Sequence, residues 1–237
     1  MGAFFIPQAL GGQLAPGQIA LPSVAAVDTN FLIGAMVDGV QSQVDALALF
    51  EQNGTMLLVP SKAADELIFR IESIAESRYF PQGSGPKRKF GMALAGLGYE
   101  RSQVSEFAQD VLDEIAADPY ILLDTTIIDI KFALRLYDNF GIVNADGQIL
   151  STAIRHGVCD IISNDGDFAR VPNINQWTTL SGRASAAQTL PVQYDPGHWE
   201  HIAPAGFFPK LTNSVAAAAK QNVLPEQGNA DTSGTAA

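Results

Sequence analysis

Five acidic residues in this chain stand where a cation could gather them. Asp28 closes a short apolar run, Val24-Ala25-Ala26-Val27, and is followed by Thr29 and Asn30. Glu66 falls in the second turn of the segment after Met56-Leu57-Leu58-Val59, Asp146 opens another segment, and Asp165 follows Ile161-Ile162-Ser163-Asn164 with Asp167 two residues on. Carboxylates crowded within a few ångströms repel, and stay ionised together only if a cation bridges them. Hard oxygen donors suit Mg2+ or Mn2+, and Mg2+ usually keeps water and takes phosphate oxygens of a substrate as further ligands.

The elements that must position these acids alternate. Strands are expected near 24–28, 56–59, 120–124, 160–163 and 177–180 from their short apolar runs. Between them, apolar spacing predicts helices near 30–37, from Val44 onward, from Ser61 (the expected N-cap) to about Arg78, over 102–117, from Thr126 to Phe140 before Gly141, and from Ala145 to His156 before Gly157. Strands alternating with helices argue for a parallel sheet covered on both faces. In such a sheet ligands bind beyond the carboxyl ends of strands, where the strand order reverses. Asp28 and Asp165 then share that edge, and Glu66 and Asp146, near helix starts, face it.

The acids in their local sequences resemble the PIN-domain family of nucleases. The likeness runs through Val27-Asp28-Thr29-Asn30, Ala64-Asp65-Glu66-Leu67, Asp146 to Ala153, and Ile162-Ser163-Asn164-Asp165-Gly166-Asp167-Phe168, and spans about Val24 to Leu180. It implies a three-layer α/β/α fold with a five-stranded parallel sheet of order 3-2-1-4-5. It implies Mg2+- or Mn2+-dependent hydrolysis of phosphodiester bonds, usually of RNA, by an activated water and without a covalent enzyme intermediate. Asp28, Glu66, Asp146 and Asp165 would be catalytic and bind the metal, with Asp167 as an auxiliary ligand. Thr29 or Asn30 would hold the Asp28 carboxylate, and Ser163 and Asn164 would support the last acidic turn. Unlike the small toxin members, this chain adds an N-terminal arm over 1–22, a basic internal loop, and an extension over 182–237 beyond the nuclease-like region 23–181.

Composition narrows the alternatives. At 47% hydrophobic residues the chain can bury a sizeable core. A net charge of −11 argues against chain-wide attraction to nucleic acid, so a nucleic-acid substrate requires a local basic surface. Lys87-Arg88-Lys89 between Phe80 and Phe90 is one candidate and is equally readable as a solvated loop; Lys62, Arg70 and Arg155 lie near the acids and could meet phosphates or simply face water. The single cysteine, Cys159, excludes an internal disulfide and reads as a small core residue. His198 and His201 have the spacing of a zinc pair but no second pair to complete it. No run approaches a membrane span, and Met1 to Ile6 lack a signal peptide's basic start, so a cytoplasmic protein is expected. Nucleophile-elbow, phosphate-loop and dinucleotide fingerprints are absent from the sequence. Two rivals share the expected fold: a non-cutting RNA- or protein-binding module, and a toxin held off by an antitoxin-like partner laying an Arg among the acids. A homodimer is a further expectation.

Overall fold

A computed structural model describes residues 2–6, 20–79, 101–180 and 191–208. Six strands form one sheet: β1 (Gly2–Phe5), β2 (Val24–Val27), β3 (Met56–Pro60), β4 (Tyr120–Leu123), β5 (Asp160–Ile162) and β6 (Asn175–Thr178). Their order is β1-β6-β5-β2-β3-β4 and every pairing is parallel. The five strands from Val24 onward thus follow the expected order 3-2-1-4-5. The sixth comes from the stretch expected to be an arm: Phe4 pairs with Trp177, and their rings lie 5.0 Å apart. That burial answers why a four-residue segment joins the sheet.

Crossovers between parallel strands are helical. Residues Thr29–Leu32 (α1) continue as a π-turn over Ile33–Val37, and are followed by α2 (Gln41–Gln52), α3 (Ser61–Tyr79), α4 (Arg101–Ile115), α5 (Ile127–Phe140) and α6 (Asn144–Arg155). Side chains alternate across a strand, and both alternating sets are buried. Ala25, Val27, Leu57, Val59, Ile162 and Trp177 pack with α1 to α4 in one core. Ala26, Leu58 and Ile161 point to the other face, where α6 lies on β2 and β3. The result is the expected three layers.

Two boundaries differ from the sequence reading. The last strand begins at Asn175 rather than Trp177, because Asn175 and Gln176 are polar yet almost wholly buried. Ser61 does not cap its own helix; its hydroxyl accepts the Thr125 amide at 2.9 Å and ties α3 to the end of β4.

Part of the C-terminal extension is built onto the domain. Val192 exchanges two hydrogen bonds with the Asn175 side chain (2.8 and 2.9 Å), and Tyr194 donates to the Ile154 carbonyl. Trp199 and Phe207 are buried against Phe132, while Arg135 donates to the carbonyls of Ile202 and Ala203. Trp199, between the two histidines, is therefore the anchor of that segment, with His198 and His201 exposed. Cys159 is buried, and burial pushes its thiol up to about 12. Among the described residues, no helix is long and apolar enough to cross a membrane.

Candidate metal centre

Register puts Asp28 and Ser163 side by side. Val27 pairs with Ile162, so the next residue of each strand sits at the same carboxyl edge; the Asp28 amide donates to the Ile162 carbonyl at 3.0 Å. Ser163 then donates its hydroxyl to Asp28 Oδ2 at 2.8 Å and accepts the Asp165 amide at 2.9 Å. One buried hydroxyl thus holds the first acid and shapes the turn that carries the last. Asp165 Oδ1 in turn accepts the Asp167 amide at 2.9 Å, a local carboxylate turn. Asn164 secures the turn from outside, its Oδ1 accepting from Thr178 Oγ1 and the Thr179 amide.

Glu66 reaches the same edge from α3. Its Oε2 accepts the Thr29 hydroxyl at 2.9 Å, and Lys62 lies 3.8 Å from its Oε1. The hydroxyl of Thr29 therefore serves Glu66 rather than Asp28, because Thr29 opens α1 and turns toward α3. Asn30 is exposed. Asp146, in the first turn of α6, is 8% exposed. It is seated by the next residue: a Cβ on Gly147 would stand 3.1 Å from Ala133 Cβ, so the glycine lets α6 approach α5 closely.

The electrostatics show how these acids face one another. Burial raises the Asp28 carboxyl from 3.8 to about 7; the charges of Asp165 and Glu66 add to that, and the Ser163 hydroxyl and Thr29 amide oppose it. Asp146 is also raised from 3.8 to about 7, by burial first and then by the charges of Asp28, Asp165, Glu66 and Asp167. Asp28 is wholly buried, and its Oδ1 has no hydrogen-bond partner among the described residues. A buried carboxylate oxygen without a donor costs free energy unless something positive meets it. Among the described residues, no three His, Cys, Asp or Glu side chains converge tightly enough to ligate one ion together. Mg2+ does not require that, since it commonly takes one or two carboxylates directly and the rest of its shell as water. The donor set and the orphaned oxygen fit such an ion.

A family model described as the PIN domain matches residues 25–174. The chain belongs to the PIN-domain family. PIN domains are generally nucleases and generally use divalent metals. No curated protein matches the chain. Among solved structures, it is similar to a chain in the crystal structure of VapBC2 from Rickettsia felis bound to a DNA fragment from their promoter. The identity is 19%, the match covers 65% of this chain and 98% of that one, and the TM-score is 0.43.

The remaining candidate residues of this PIN domain divide. Asp167 is paired with Arg170 at 3.1 Å. Lys62 bridges Asp65 at 3.2 Å and sits beside Glu66, with Asp65 exposed as its helical position predicts, and Arg70 is exposed one turn beyond Glu66. Arg155 has other work. Its Nε donates to wholly buried Asp129 at 2.8 Å and its Nη2 to the Asp124 carbonyl at 2.7 Å, nine residues along α6 from Asp146. Lys87, Arg88 and Lys89 lie outside the described residues. Sequence reasoning gives Gln176 no role; it donates to the backbone carbonyls of both Ser163 and Asp165. Gln176 falls just before the strand expected near 177–180, so no signal in the sequence marks it.

Proposed function

We propose that this PIN domain is an Mg2+- or Mn2+-dependent endoribonuclease. The observation that carries the reading is the wholly buried Asp28, whose Oδ1 has no partner among the described residues while Asp146, Asp165 and Glu66 turn their charges toward the same space. Asp28, Glu66, Asp146 and Asp165 would hold the cation, with Asp167 at the rim. When bound, it would supply an activated water and positive charge for the departing phosphodiester oxygen. The protein's part is to keep the carboxylates fixed: Ser163 aims Asp28, Thr29 aims Glu66, and the Asp167 amide fixes Asp165. Lys62 and Arg70, each four residues from Glu66, would meet the phosphate backbone that an otherwise acidic chain repels.

The test is cleavage of a mixed RNA pool, with DNA alongside, in Mg2+, Mn2+ or EDTA, comparing wild type with Asp146→Asn. Cleavage of RNA that needs metal and disappears in the variant is the expected result. Cleavage that survives EDTA or the substitution would sink the proposal. A protein that binds Mn2+ yet cuts only after a small co-purified partner is stripped away would be the toxin reading instead.

The exposed side of α5 favours a homodimer as the acting form. Ile127, Leu134 and Tyr137 are 68%, 54% and 57% exposed, and with Ile130 they follow the 3-4-3 spacing of a helix-pairing seam. Beside the seam, Lys131 and Asp138 stand seven residues apart, roughly 10 Å along the axis, which is too far to pair with each other. Two antiparallel copies that cross at Leu134 about a two-fold axis would place each opposite its counterpart. Sedimentation should find a dimer in wild type and a monomer in Leu134→Glu. Lys131→Asp should weaken association, and adding Asp138→Lys should restore it. A monomeric wild type would refute this surface.

A further inference from the structure

Every side chain of β6 is buried, and one of them is not suited to packing. Gln176 is 1% exposed and lies between Ile161 of β5 and Ala3 of β1. An amide placed there must give up its water, which costs free energy unless both its ends find partners. Only one end does. Nε2 donates to the Ser163 carbonyl at 2.9 Å and to the Asp165 carbonyl, while Oε1 has no hydrogen-bond partner among the described residues. A methionine of similar length would fill the same space without burying an unpaired oxygen. The two bonds it does make close a small frame: Ser163 and Asp165 are held through their carbonyls by Gln176, and to each other by the Asp165 amide on Ser163 Oγ. That hydroxyl is the one that aims Asp28.

We infer that Gln176 is a positioning residue that holds the Ser163-Asn164-Asp165 turn in the shape needed to receive a cation. Its side chain touches no acid's carboxylate; it acts through the backbone of one acid and through the serine that orients another. Outer partners of this kind typically matter ten- to a hundredfold in metal affinity. The adjacent residue is a built-in control. Asn175 is equally buried, but its amide serves Asp160 and Val192, on the opposite face of the strand from the side chain of Gln176 and outside the candidate metal centre.

This inference rests on the metal-site reading, and its test separates the two. Full-length wild type, Gln176→Met, Gln176→Asn and Asn175→Leu are titrated with Mn2+ alone. Their thermal midpoints and the hydrogen exchange of the Asp165 and Asp167 amides are measured without metal. Both Gln176 variants should bind Mn2+ about ten- to a hundredfold more weakly and should exchange those two amides faster. Asn175→Leu should lose at least as much thermal stability and keep both properties. Unchanged affinity and unchanged exchange in whichever Gln176 variant folds would overturn the inference. Should wild type bind no Mn2+, the metal reading falls, and exchange alone decides whether Gln176 positions the turn: faster supports it, unchanged refutes it.

Discussion

Asp28→Asn will abolish cleavage and, in the absence of metal, make the protein more stable. The two effects share one cause. Burial and neighbouring acids raise the Asp28 and Asp146 carboxyls from 3.8 to about 7. Between about pH 4 and 7 the folded chain therefore holds protons that the unfolded chain releases. Metal-free stability falls as pH rises through that window and stays low above it. At about 1.4 kcal/mol per tenfold change in proton affinity, one such carboxyl is worth on the order of 4 kcal/mol. The substituted amide would carry no charge to bury and would remove the first-ranked charge acting on Asp146, so much of the slope should disappear. Mn2+ should flatten it in wild type by replacing protons with a cation. Loss of a ligand to the cation should cost several kcal/mol of transition-state stabilisation, about a thousandfold or more in rate. Thermal melts of both proteins at pH 5 and pH 8, with and without Mn2+, and single-turnover cleavage are the measurements. Equal melts at both pH values in metal-free wild type would refute the electrostatic account.

Arg155→Ala should be among the most destabilising single substitutions in the domain, at about 3–5 kcal/mol. Its partner Asp129 is wholly buried and is already used by the Thr126 capping box. Without the guanidinium, Oδ1 of that carboxylate is left charged and unpaired between α5 and α6. Arg155→Lys should recover little, because one ammonium cannot reach both Asp129 and the Asp124 carbonyl as the planar fork does. Replacing both partners with apolar residues, Arg155→Met with Asp129→Leu, should return part of the loss, although the Thr126 cap would go with it. The readout is the urea midpoint. A contact with phosphate backbone predicts the reverse pattern: weaker RNA binding, a smaller salt dependence, and an unmoved midpoint.

The positions of the strands and of the candidate acids are legible because each carries a local signal, an apolar run or a helical period beside an acid; the order of the strands comes only with the resemblance to the PIN-domain family. Chemistry across strands is not legible. Nothing in Val27-Asp28-Thr29 says that the hydroxyl on Asp28 will come from Ser163, since that follows from the register of β2 against β5. The resemblance offers Thr29 or Asn30 as keeper of the Asp28 carboxylate; the Thr29 amide does favour that carboxylate, while the Thr29 hydroxyl goes to Glu66, a partner 37 positions away that no local pattern announces. Arg155 reads either as a phosphate contact or as a solvated charge because only its closeness in sequence to Asp146 is visible; its buried partner sits 26 positions earlier. Gly2–Phe5 is invisible as a strand because a four-residue run has no period to read, and its partner lies at the far end of the domain.

That last pairing also sets an order of events during synthesis. Phe4 leaves the ribosome roughly 170 residues before Trp177, an interval of about 10–35 s at 5–20 residues per second. Contacts so distant in sequence close late, since the chain must pay the entropy of a long loop before they reward it. Until β6 exists, no strand is present to receive β1, and no Gln176 is present to frame the acidic turn. A nascent chain can therefore carry Asp28, Glu66, Asp146 and Asp165 while still lacking the scaffold that organises them, and it becomes competent only when its last strand is laid down.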